Sequence, residues 1–332
     1  MNSTNCQADA LAQTDTLLEK FREDVLEGLH SSPKRLPSKY FYDKTGDVLF
    51  QRIMASPEYY LTNCELEIFQ SKTAELAQTI NSVNGDFDLI ELGAGDATKS
   101  QYLLKYLSEQ RAIFTYVPID ISGNILSILE TRLKAEITDL DVKCLEGEYF
   151  EMLSKAAELS DRRKVVLFLG ANIGNMEPQA ASVFCRELRA RLKPGDLVLM
   201  GFDLKKHPKL ILDAYSDSAG ITSRFNLNLL HRVNKELNGN FDLDQFEHYQ
   251  NYDPLTGACR SYLVSKIDQE VLVDGQPVHF WQDEIIYMEI SQKYDTEEIA
   301  TMAKQAGFVP IGYHTDSRNW FLDTIWLCVD SY

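Results

Sequence analysis

Apolar residues follow two different periods along this chain, and the change between them divides it. Residues 11–29 repeat apolar positions at intervals of three and four, and a second stretch between Cys64 and Ile80 does the same. Such spacing places apolar side chains on one face of an α-helix. From Asp86 onward, short apolar runs alternate with helical segments, which is typical of a parallel sheet covered by helices on both faces.

Signals for helix ends support this alternation. Ser122 is a predicted N-cap, and Pro178 suits the first turn of a helix. Asp295 opens another helix with capping chemistry, and Gly307 closes it. Seven strands are predicted, at 87–92, 115–121, 142–145, 164–169, 196–202, 308–313 and 321–329. Five alternating units and a final strand pair predict an α/β fold with a Rossmann-like, seven-stranded sheet.

The alternation stops between 204 and 285, where helices mix with antiparallel strand patterns. The runs 270–273 and 278–281 flank an Asp-Gly turn and predict a β-hairpin. We therefore expect this insertion to form a second, mixed α+β domain together with the N-terminal segment. The expected domains are 66–203 with 287–332, and 1–65 with 204–286.

The chain is acidic, with a formal net charge of -17. That charge repels phosphate backbones and anionic membranes, so nucleic acid and membrane partners are not expected. The densest basic run, residues 205–209, is interpreted as a solvated turn and helix start. The six cysteines lack metal-site spacing, and neither a signal peptide nor a spanning segment is evident. A cytoplasmic protein with reduced thiols is expected.

The first predicted strand ends in Glu91-Leu92-Gly93-Ala94-Gly95 and precedes a helix. Glycines there let the backbone approach a ligand, although a Gly-x-Gly turn can equally serve packing alone. Thr98 stands where a dinucleotide fingerprint has its third glycine, which disfavours a nicotinamide-dependent dehydrogenase. An acidic chain also suits a cationic sulfonium better than a pyrophosphate.

Acidic and aromatic residues follow the next two strands. Asp120 ends the second strand, where its carboxylate can accept hydrogen bonds from ribose hydroxyls or instead cap the following helix. Glu148 and Tyr149 follow the third strand. They could hold the edge and face of an adenine ring, or they could be an ordinary loop pair.

Ordered motifs along nearly the whole chain resemble one family, the histidine-specific Nα-methyltransferases of ergothioneine biosynthesis. These enzymes use S-adenosylmethionine (SAM) to convert histidine to its trimethylated betaine, hercynine. The resemblance implies a class I methyltransferase sheet, SAM as cofactor, and a substrate domain. It rests on Phe41-Tyr42-Asp43, Pro57-Glu58-Tyr59-Tyr60, Glu91–Gly95, Phe168-Leu169-Gly170-Ala171-Asn172-Ile173-Gly174-Asn175, Ala214-Tyr215 and Glu289-Ile290-Ser291.

The resemblance also implies roles for individual residues. Cofactor binding is assigned to Gly93, Lys99, Asp120, Glu148 and Tyr149, the last two replacing the family's usual Asp-Phe pair. Substrate binding is assigned to Tyr59, Asn175, Tyr215, Glu289 and Ser291, and Tyr42 and Gly170 would line the same pocket. Asn175 and Tyr215 would hold the α-carboxylate and the amino group. Glu289 and Ser291 would grip the imidazole, with Tyr59 closing the other side.

Structural interpretations stand beside these roles. Tyr215 could be a core tyrosine with a satisfied hydroxyl, Asn175 could cap the helix near Pro178, and Glu289 with Ser291 could be an exposed polar pair. One position departs from the family. A methionine usually found near the imidazole is, by its spacing from Tyr215, Ser261 here, which changes the volume and hydration of the pocket.

Methyl transfer is an in-line displacement at a sulfonium carbon, and it needs neither a metal nor a covalent enzyme intermediate. The enzyme mainly supplies proximity and alignment. The nucleophile is a neutral α-amine, and Tyr42 or a water molecule is expected to accept its proton. The expected partner is a small-molecule amino acid, with no obligate protein partner evident. Two alternatives stay open: an Nα-methyltransferase for another aromatic amino acid, and a non-catalytic SAM-binding regulator.

Overall fold

The structure is a computed structural model that describes residues 3–330, with side chains from Leu17 onward. Contacts divide the chain into two compact units. The four-stranded unit runs to Tyr59 and resumes over His207–Ser291, and the seven-stranded unit comprises Tyr60–Lys206 and the chain from Gln292 on. The assignment of substrate binding to one part of the chain and cofactor binding to the other stays a prediction.

The helices are α1 (Ser3–His30), α2 (Lys44–Met54), α3 (Tyr60–Ser71), α4 (Thr73–Asn81), α5 (Ser100–Glu109), α6 (Gly123–Glu136), α7 (Tyr149–Glu158), α8 (Pro178–Ala190), α9 (Pro208–Tyr215), α10 (Ile221–Glu236) and α11 (Thr296–Ala306). The strands are β1 (Lys34–Arg35), β2 (Phe87–Leu92), β3 (Phe114–Asp120), β4 (Leu145–Glu146), β5 (Arg163–Phe168), β6 (Leu197–Asp203), β7 (Phe246–Asp253), β8 (Ala258–Ser265), β9 (Gln269–Val273), β10 (Gln276–Phe280), β11 (Ile285–Gln292), β12 (Phe308–Thr315) and β13 (Phe321–Cys328). Short 3-10 turns lie at Ser38–Phe41, Asn172–Asn175 and Leu243–Gln245.

The seven-stranded unit is built on one sheet with the strand order β12-β13-β6-β5-β2-β3-β4. β2 pairs in parallel with β3 and β5, whereas β13 runs antiparallel to both β6 and β12. Helices α5 to α8 connect successive parallel strands, and every residue of β2 and β6 is buried. This order is that of the class I methyltransferase sheet, so the predicted α/β fold is confirmed.

The four-stranded unit contains a sheet of order β1-β11-β8-β7 and the separate β9–β10 ribbon. The predicted hairpin is confirmed, because β9 and β10 pair antiparallel across Asp274 and Gly275, whose φ angles are 49° and 72°. Two positive φ angles are what a tight hairpin turn requires. Helix α10 packs on α2, and the rings of Phe41 and Phe225 lie 4.7 Å apart in the core.

Locally encoded helix ends are confirmed. The Ser122 side chain accepts a hydrogen bond from the Ile125 backbone N–H, and Asp295 with Glu298 forms a complete capping box. Gly307 ends α11 in the left-handed conformation with φ 90°. These signals lie within a few residues of the backbone they control, so they act before tertiary packing is decided.

Longer-range features differ from the sequence predictions. The single helix expected between Cys64 and Ile80 is two helices, because the backbone leaves helical geometry at Lys72. The third strand is reduced to β4 and an isolated bridge at Val142. Strand β7, which the apolar pattern did not reveal, alternates half-buried and exposed polar residues beside β8.

The basic run 205–209 was wrongly interpreted as fully solvated. The Lys206 side chain is buried, where its ammonium pairs with Asp203, donates to the Leu204 carbonyl at 2.6 Å and lies 3.0 Å from the Tyr60 hydroxyl oxygen. A lysine can be buried when its charge and its donors are all satisfied. The other part of the interpretation is confirmed, because α9 begins at Pro208.

The structure shows two general features of the chain, the apolar content of its helices and the state of its cysteines. Within the described residues, no helix combines the length and the apolar composition needed to cross a bilayer. Cys64, Cys144, Cys185, Cys259 and Cys328 are free thiols, while Cys6 lies outside the described side chains.

The capping box of α11 gives a test of local stability. Replacing Asp295 with Ala removes acceptors for the Glu297 and Glu298 backbone N–H groups, so we expect the free energy of unfolding to fall by about 1 kcal/mol. Urea denaturation measures this loss. The exposed Glu297→Gln variant is the control, and an equal loss in both variants would contradict the capping explanation.

Candidate functional site

The glycine turn after β2 brings the backbone unusually close to a neighbouring side chain. Gly93 and Gly95 have φ angles of 71° and 51°, in the left-handed region that favours glycine. The backbone N–H groups of Gly93 and Ala94 both donate to the Ile119 carbonyl, at 2.8 and 3.1 Å. A Cβ atom on Gly93 would lie 2.7 Å from the Tyr149 hydroxyl oxygen, so only glycine fits there without rearrangement.

Asp120, at the end of β3, holds this turn in place. Its Oδ2 accepts a hydrogen bond from the Gly95 N–H at 3.1 Å, and its Oδ1 accepts one from the Ser122 N–H at 3.0 Å. The cap of α6 is Ser122, so Asp120 is not the capping residue itself. Each carboxylate oxygen has further acceptor capacity, so Asp120 can hold the turn and still accept hydrogen bonds from a ligand.

Tyr149 and Glu148 lie at the start of α7, beside the turn. The Tyr149 ring meets Phe168 edge-on at 5.9 Å between centroids. Burial, reinforced by the negative charges of Asp120 and Glu148, raises the pKa of Tyr149 to about 12, so its phenol is neutral near pH 7. Glu148 occupies the N-cap position of α7 but makes no side-chain capping bond. The predicted residues Gly93, Asp120, Glu148 and Tyr149 therefore lie at one edge of the sheet.

Lys99, the remaining predicted cofactor residue, belongs to a buried charge cluster. Its ammonium pairs with Glu65 of α3, a side chain only 1% exposed. Both Glu65 oxygens also accept the Gly170 backbone N–H, at 2.8 and 3.0 Å. Burial disfavours the Lys99 ammonium, but the attraction of Glu65 more than compensates, so the pKa of Lys99 is raised and the side chain is charged.

Glu65 was missed by the sequence analysis, although one signal was present. It is a carboxylate in the middle of an apolar helical stretch, flanked by the buried Cys64, Ile68 and Phe69. Acidic side chains are rarely fully buried unless they are paired. The partners of Glu65 could not be predicted, because Lys99 and Gly170 are distant along the chain.

A second carboxyl group lies next to Glu65. Asp323 of β13 pairs with Gly201 of β6, and a Cβ atom on Gly201 would lie 2.5 Å from Glu65 Oε1 and 3.1 Å from Asp323 Oδ1. In the described part of the chain, no N–H or O–H group donates to either Asp323 oxygen. Burial, followed by repulsion from Glu65, raises the pKa of Asp323 well above its ordinary value. Asp323 is therefore held as a neutral acid.

Glu91, immediately before the glycine turn, is also buried. It accepts a hydrogen bond from the Tyr116 hydroxyl at 2.5 Å. Burial raises the pKa of Glu91 to about 7, against the opposing effects of hydrogen bonds from Ser100 and Tyr116 and of the Lys99 charge. Lys99 is thus influenced by the three carboxyl groups of Glu65, Asp323 and Glu91.

Asn175 and Gly170 lie in the segment that follows β5. Gly170 has φ 77°, and its backbone N–H donates to the Glu65 carboxylate. Asn175 is exposed and ends the 3-10 turn. The N-cap position of α8 is Glu177, so the interpretation of Asn175 as the cap of that helix is wrong.

Four of the predicted substrate residues are linked in the four-stranded unit. The Tyr215 hydroxyl, at the end of α9, lies 2.6 Å from the Ser291 hydroxyl oxygen. The Tyr215 ring meets Tyr59 at 6.2 Å, Tyr59 meets Phe50 at 6.5 Å, and Phe50 meets Tyr42 at 5.5 Å, all edge-on. These four rings and the Ser291 hydroxyl, named here the aromatic cluster, combine apolar faces with polar tips.

Glu289 and Ser291 share one face of β11, since side chains alternate along a strand. Ser291 is buried and Glu289 is half-buried, so they are not an exposed pair.

Ser261 is buried on β8, and its hydroxyl oxygen lies 3.4 Å from His248 Nε2 on β7. Burial lowers the pKa of His248 to about 4, so a neutral imidazole lies beside Ser261 at neutral pH. His248 was not predicted as a site residue.

The two glycines of the turn allow a matched test of the close approach. Gly93→Ala and Gly95→Ala both place a Cβ in left-handed backbone, at a cost of about 1–2 kcal/mol. Only the Gly93 variant also meets the Tyr149 hydroxyl, because nothing lies within 4 Å of a Cβ on Gly95. We expect Gly93→Ala to lower the melting temperature more. Equal decreases in the melting temperatures of the two variants would refute the predicted collision with the Tyr149 hydroxyl.

The neutral state of Asp323 gives a pH-dependent prediction. Its pKa is raised in the folded protein, so folding requires proton uptake above the unfolded pKa near 3.8. Stability is therefore lost as pH rises from that value toward the folded pKa, by up to about 1.4 kcal/mol per pH unit. Asp323→Asn removes this loss.

We expect the melting temperature of Asp323→Asn, relative to the unchanged protein, to rise between pH 5 and pH 8. Differential scanning calorimetry at each pH measures this difference. A difference independent of pH over that range would show that Asp323 is ionised in the folded state.

The chain is similar to a known protein family and to individual enzymes. The model of the SAM-dependent, histidine-specific methyltransferase family matches residues 21–328. The histidine N-alpha-methyltransferase of Mycolicibacterium smegmatis is 34% identical over 309 residues, which cover 92% of this chain and 94% of that protein. The enzyme of the same name from Mycobacterium tuberculosis is 32% identical, covering 90% and 92% respectively.

A more distant relative has a different name. The L-tryptophan methyltransferase of Psilocybe serbica is 28% identical and covers 90% of each chain. The family model and the two histidine N-alpha-methyltransferases confirm the resemblance seen in the sequence. The chain belongs to the SAM-dependent, histidine-specific methyltransferase family.

Proposed function

We propose that this protein transfers methyl groups from SAM to the α-amino group of L-histidine and forms hercynine. The observation that carries the proposal is the 2.6 Å contact between the hydroxyls of Tyr215 and Ser291. Tyr215 is expected at the α-amino end of the substrate and Ser291 at the imidazole, so this contact links residues with the two predicted roles. The relatives named histidine N-alpha-methyltransferase support the choice of amino acid.

The residues at the glycine turn fit SAM. Backbone at Gly95 borders open space, and the Asp120 carboxylate can accept hydrogen bonds from ribose hydroxyls. Tyr149 offers a neutral ring and hydroxyl, and Glu148 an exposed carboxylate, for the adenine. When bound, SAM supplies a methyl group on a positively charged sulfur. The chain itself binds and orients the reactants, which is where enzymes gain rate in a displacement of this kind.

The aromatic cluster would recognise the amino acid. Tyr215 and Asn175 would hold its carboxylate and amino groups, and Glu289 would accept a hydrogen bond from a ring N–H of the imidazole. Ser291 would orient that ring through its hydroxyl, and Tyr59 would cover its face. A carboxylate at position 289 favours histidine over an amino acid with a plain phenyl ring, because only the imidazole has a ring N–H group that can donate to it.

The α-ammonium must lose a proton before it can act as a nucleophile. Tyr42, 45% exposed, is the proposed acceptor or the link to an accepting water. Its ring is held edge-on by Phe50 and Phe225 at 5.5 and 5.8 Å. An exposed hydroxyl on a fixed ring gives the proton a route to solvent.

A second function, Nα-methylation of another aromatic amino acid, is favoured by one observation. Ser261 stands where the family usually has a methionine, and the neutral imidazole of His248 lies 3.4 Å from its hydroxyl oxygen, so the pocket wall is smaller and more polar. The likeness to an L-tryptophan methyltransferase is consistent with that alternative. The two functions differ in which amino acid reacts fastest.

The decisive experiment incubates the protein with methyl-labelled SAM and a panel of amino acids that includes histidine, tryptophan, phenylalanine and tyrosine. Mass spectrometry identifies the product and counts its methyl groups. We expect histidine to react with the highest kcat/KM and to gain three methyl groups. A faster reaction with tryptophan would replace the proposal with the second function, and no product from any amino acid would favour the non-catalytic regulator.

Substrate recognition is tested by Tyr215→Phe, which removes the hydroxyl that contacts Ser291. We expect the KM for histidine to rise about tenfold, with unchanged affinity for S-adenosylhomocysteine (SAH), because one hydrogen-bonding group of the substrate site is lost. Tyr249→Phe is the matched control, since Tyr249 is an exposed tyrosine of the same unit that stacks on Tyr262. A parent-like KM in Tyr215→Phe would contradict the assigned role.

A further inference from the structure

Glu65 connects two residues that were assigned to different ligands. Its carboxylate pairs with the ammonium of Lys99, which is assigned to the cofactor, and accepts the N–H of Gly170, which is assigned to the substrate pocket. A Cβ atom on Gly170 would lie 3.5 Å from Lys99 Nζ, so the ammonium rests against the Gly170 backbone. All three residues belong to the seven-stranded unit.

We propose that Glu65 is a positioning residue of this methyltransferase, which holds the Lys99 ammonium where SAM binds and fixes the Gly170 backbone beside it. The proposal rests on the proposed binding of SAM at the glycine turn. Glu65 acts through these two residues and need not touch a ligand itself.

Lys99 requires such a partner because other carboxyl groups compete for its ammonium. Glu65 stabilises its charge most strongly, whereas Asp323 can do so only when it loses its proton. If Glu65 lost its charge, it would no longer hold the proton on Asp323, so Asp323 and Glu91, both buried in the sheet, would compete for Lys99. The ammonium would then no longer lie at the position that Glu65 and Gly170 define.

Asp323 lies next to the Glu65 carboxylate that holds Lys99. The two carboxyl groups share the space above Gly201, and two negative charges cannot both be stable at such short range. Burial and the charge of Glu65 hold the proton on Asp323, as its raised pKa indicates. A protonated Asp323 can donate a hydrogen bond to Glu65, which lowers the cost of burying that carboxylate.

Two substitutions separate the two contacts of Glu65. Glu65→Gln keeps an oxygen that can accept the Gly170 N–H but removes the charge that holds Lys99. Glu65→Met has a similar length and removes both interactions. We expect Glu65→Gln to raise the dissociation constant for SAH about tenfold, a loss expected for a charge-assisted contact. In the presence of saturating SAH, only Glu65→Met is expected to weaken histidine binding by more than threefold.

A double-mutant cycle tests whether Glu65 acts through Lys99. Isothermal titration calorimetry measures SAH affinity of Glu65→Gln, Lys99→Met and the double variant. We expect the double variant to bind SAH no more weakly than Lys99→Met alone, because the two residues form one unit. Multiplicative losses, or SAH affinity of Glu65→Gln within twofold of the unchanged protein, would overturn the proposal.

Asp88→Asn is the matched control for a purely structural effect. Asp88 is another buried carboxylate on β2 that holds a lysine, since it pairs with Lys164 at 2.6 Å, but it lies at the opposite end of the strand from the glycine turn. We expect this variant to lower the melting temperature without altering SAH affinity. Equal losses of SAH affinity in Asp88→Asn and Glu65→Gln would show that general destabilisation explains both.

The proposed function fails on a different measurement. If the unchanged protein binds SAH but does not methylate histidine, the substrate assignment is wrong. The double-mutant cycle would then still decide whether Glu65 acts in SAH binding. If the unchanged protein does not bind SAH at all, both conclusions are refuted.

Discussion

Parallel pairing of β2 with β3 and β5 is the constraint on which the site depends. Parallel strands must all end at the same edge of the sheet, so the residues that follow them become neighbours regardless of their distance along the chain. The Gly93 turn follows β2, Asp120 ends β3 and Gly170 follows β5. Backbone pairing between buried strands thus brings residues predicted for the cofactor and for the substrate to one edge of the sheet.

Features controlled by nearby residues could be predicted from the sequence. The Ser122 cap, the capping box at Asp295 and the turn at Gly275 each depend on a few adjacent side chains and on backbone conformations that those residues prefer. The seven-stranded α/β sheet was also predicted, from the alternation of apolar runs with helical segments. The break at Lys72 carried no comparable signal, because neither proline nor glycine marks it.

The charge cluster around Lys99 could not be predicted, because it depends on which distant residues the fold brings together. Glu65 comes from α3, Asp323 from β13 and Gly170 from the loop after β5. A buried carboxylate in a helix indicates that a partner exists but does not identify it.

The aromatic cluster could be predicted only in part. Its tyrosines and Ser291 were assigned only through the family resemblance, because a buried tyrosine with a bonded hydroxyl is equally typical of an ordinary core. Phe50 was not predicted.

The absence of a side chain at Gly201 affects residues outside its own strand, β6. The space left by the missing atoms is filled by the carboxyl groups of Glu65 and Asp323. Any larger residue on β6 at that position would have to displace one of them. Transplanting this methyl-transfer site into another α/β scaffold would therefore require copying a helix residue and two strand residues as one set, because the familiar glycine-rich turn carries none of the three.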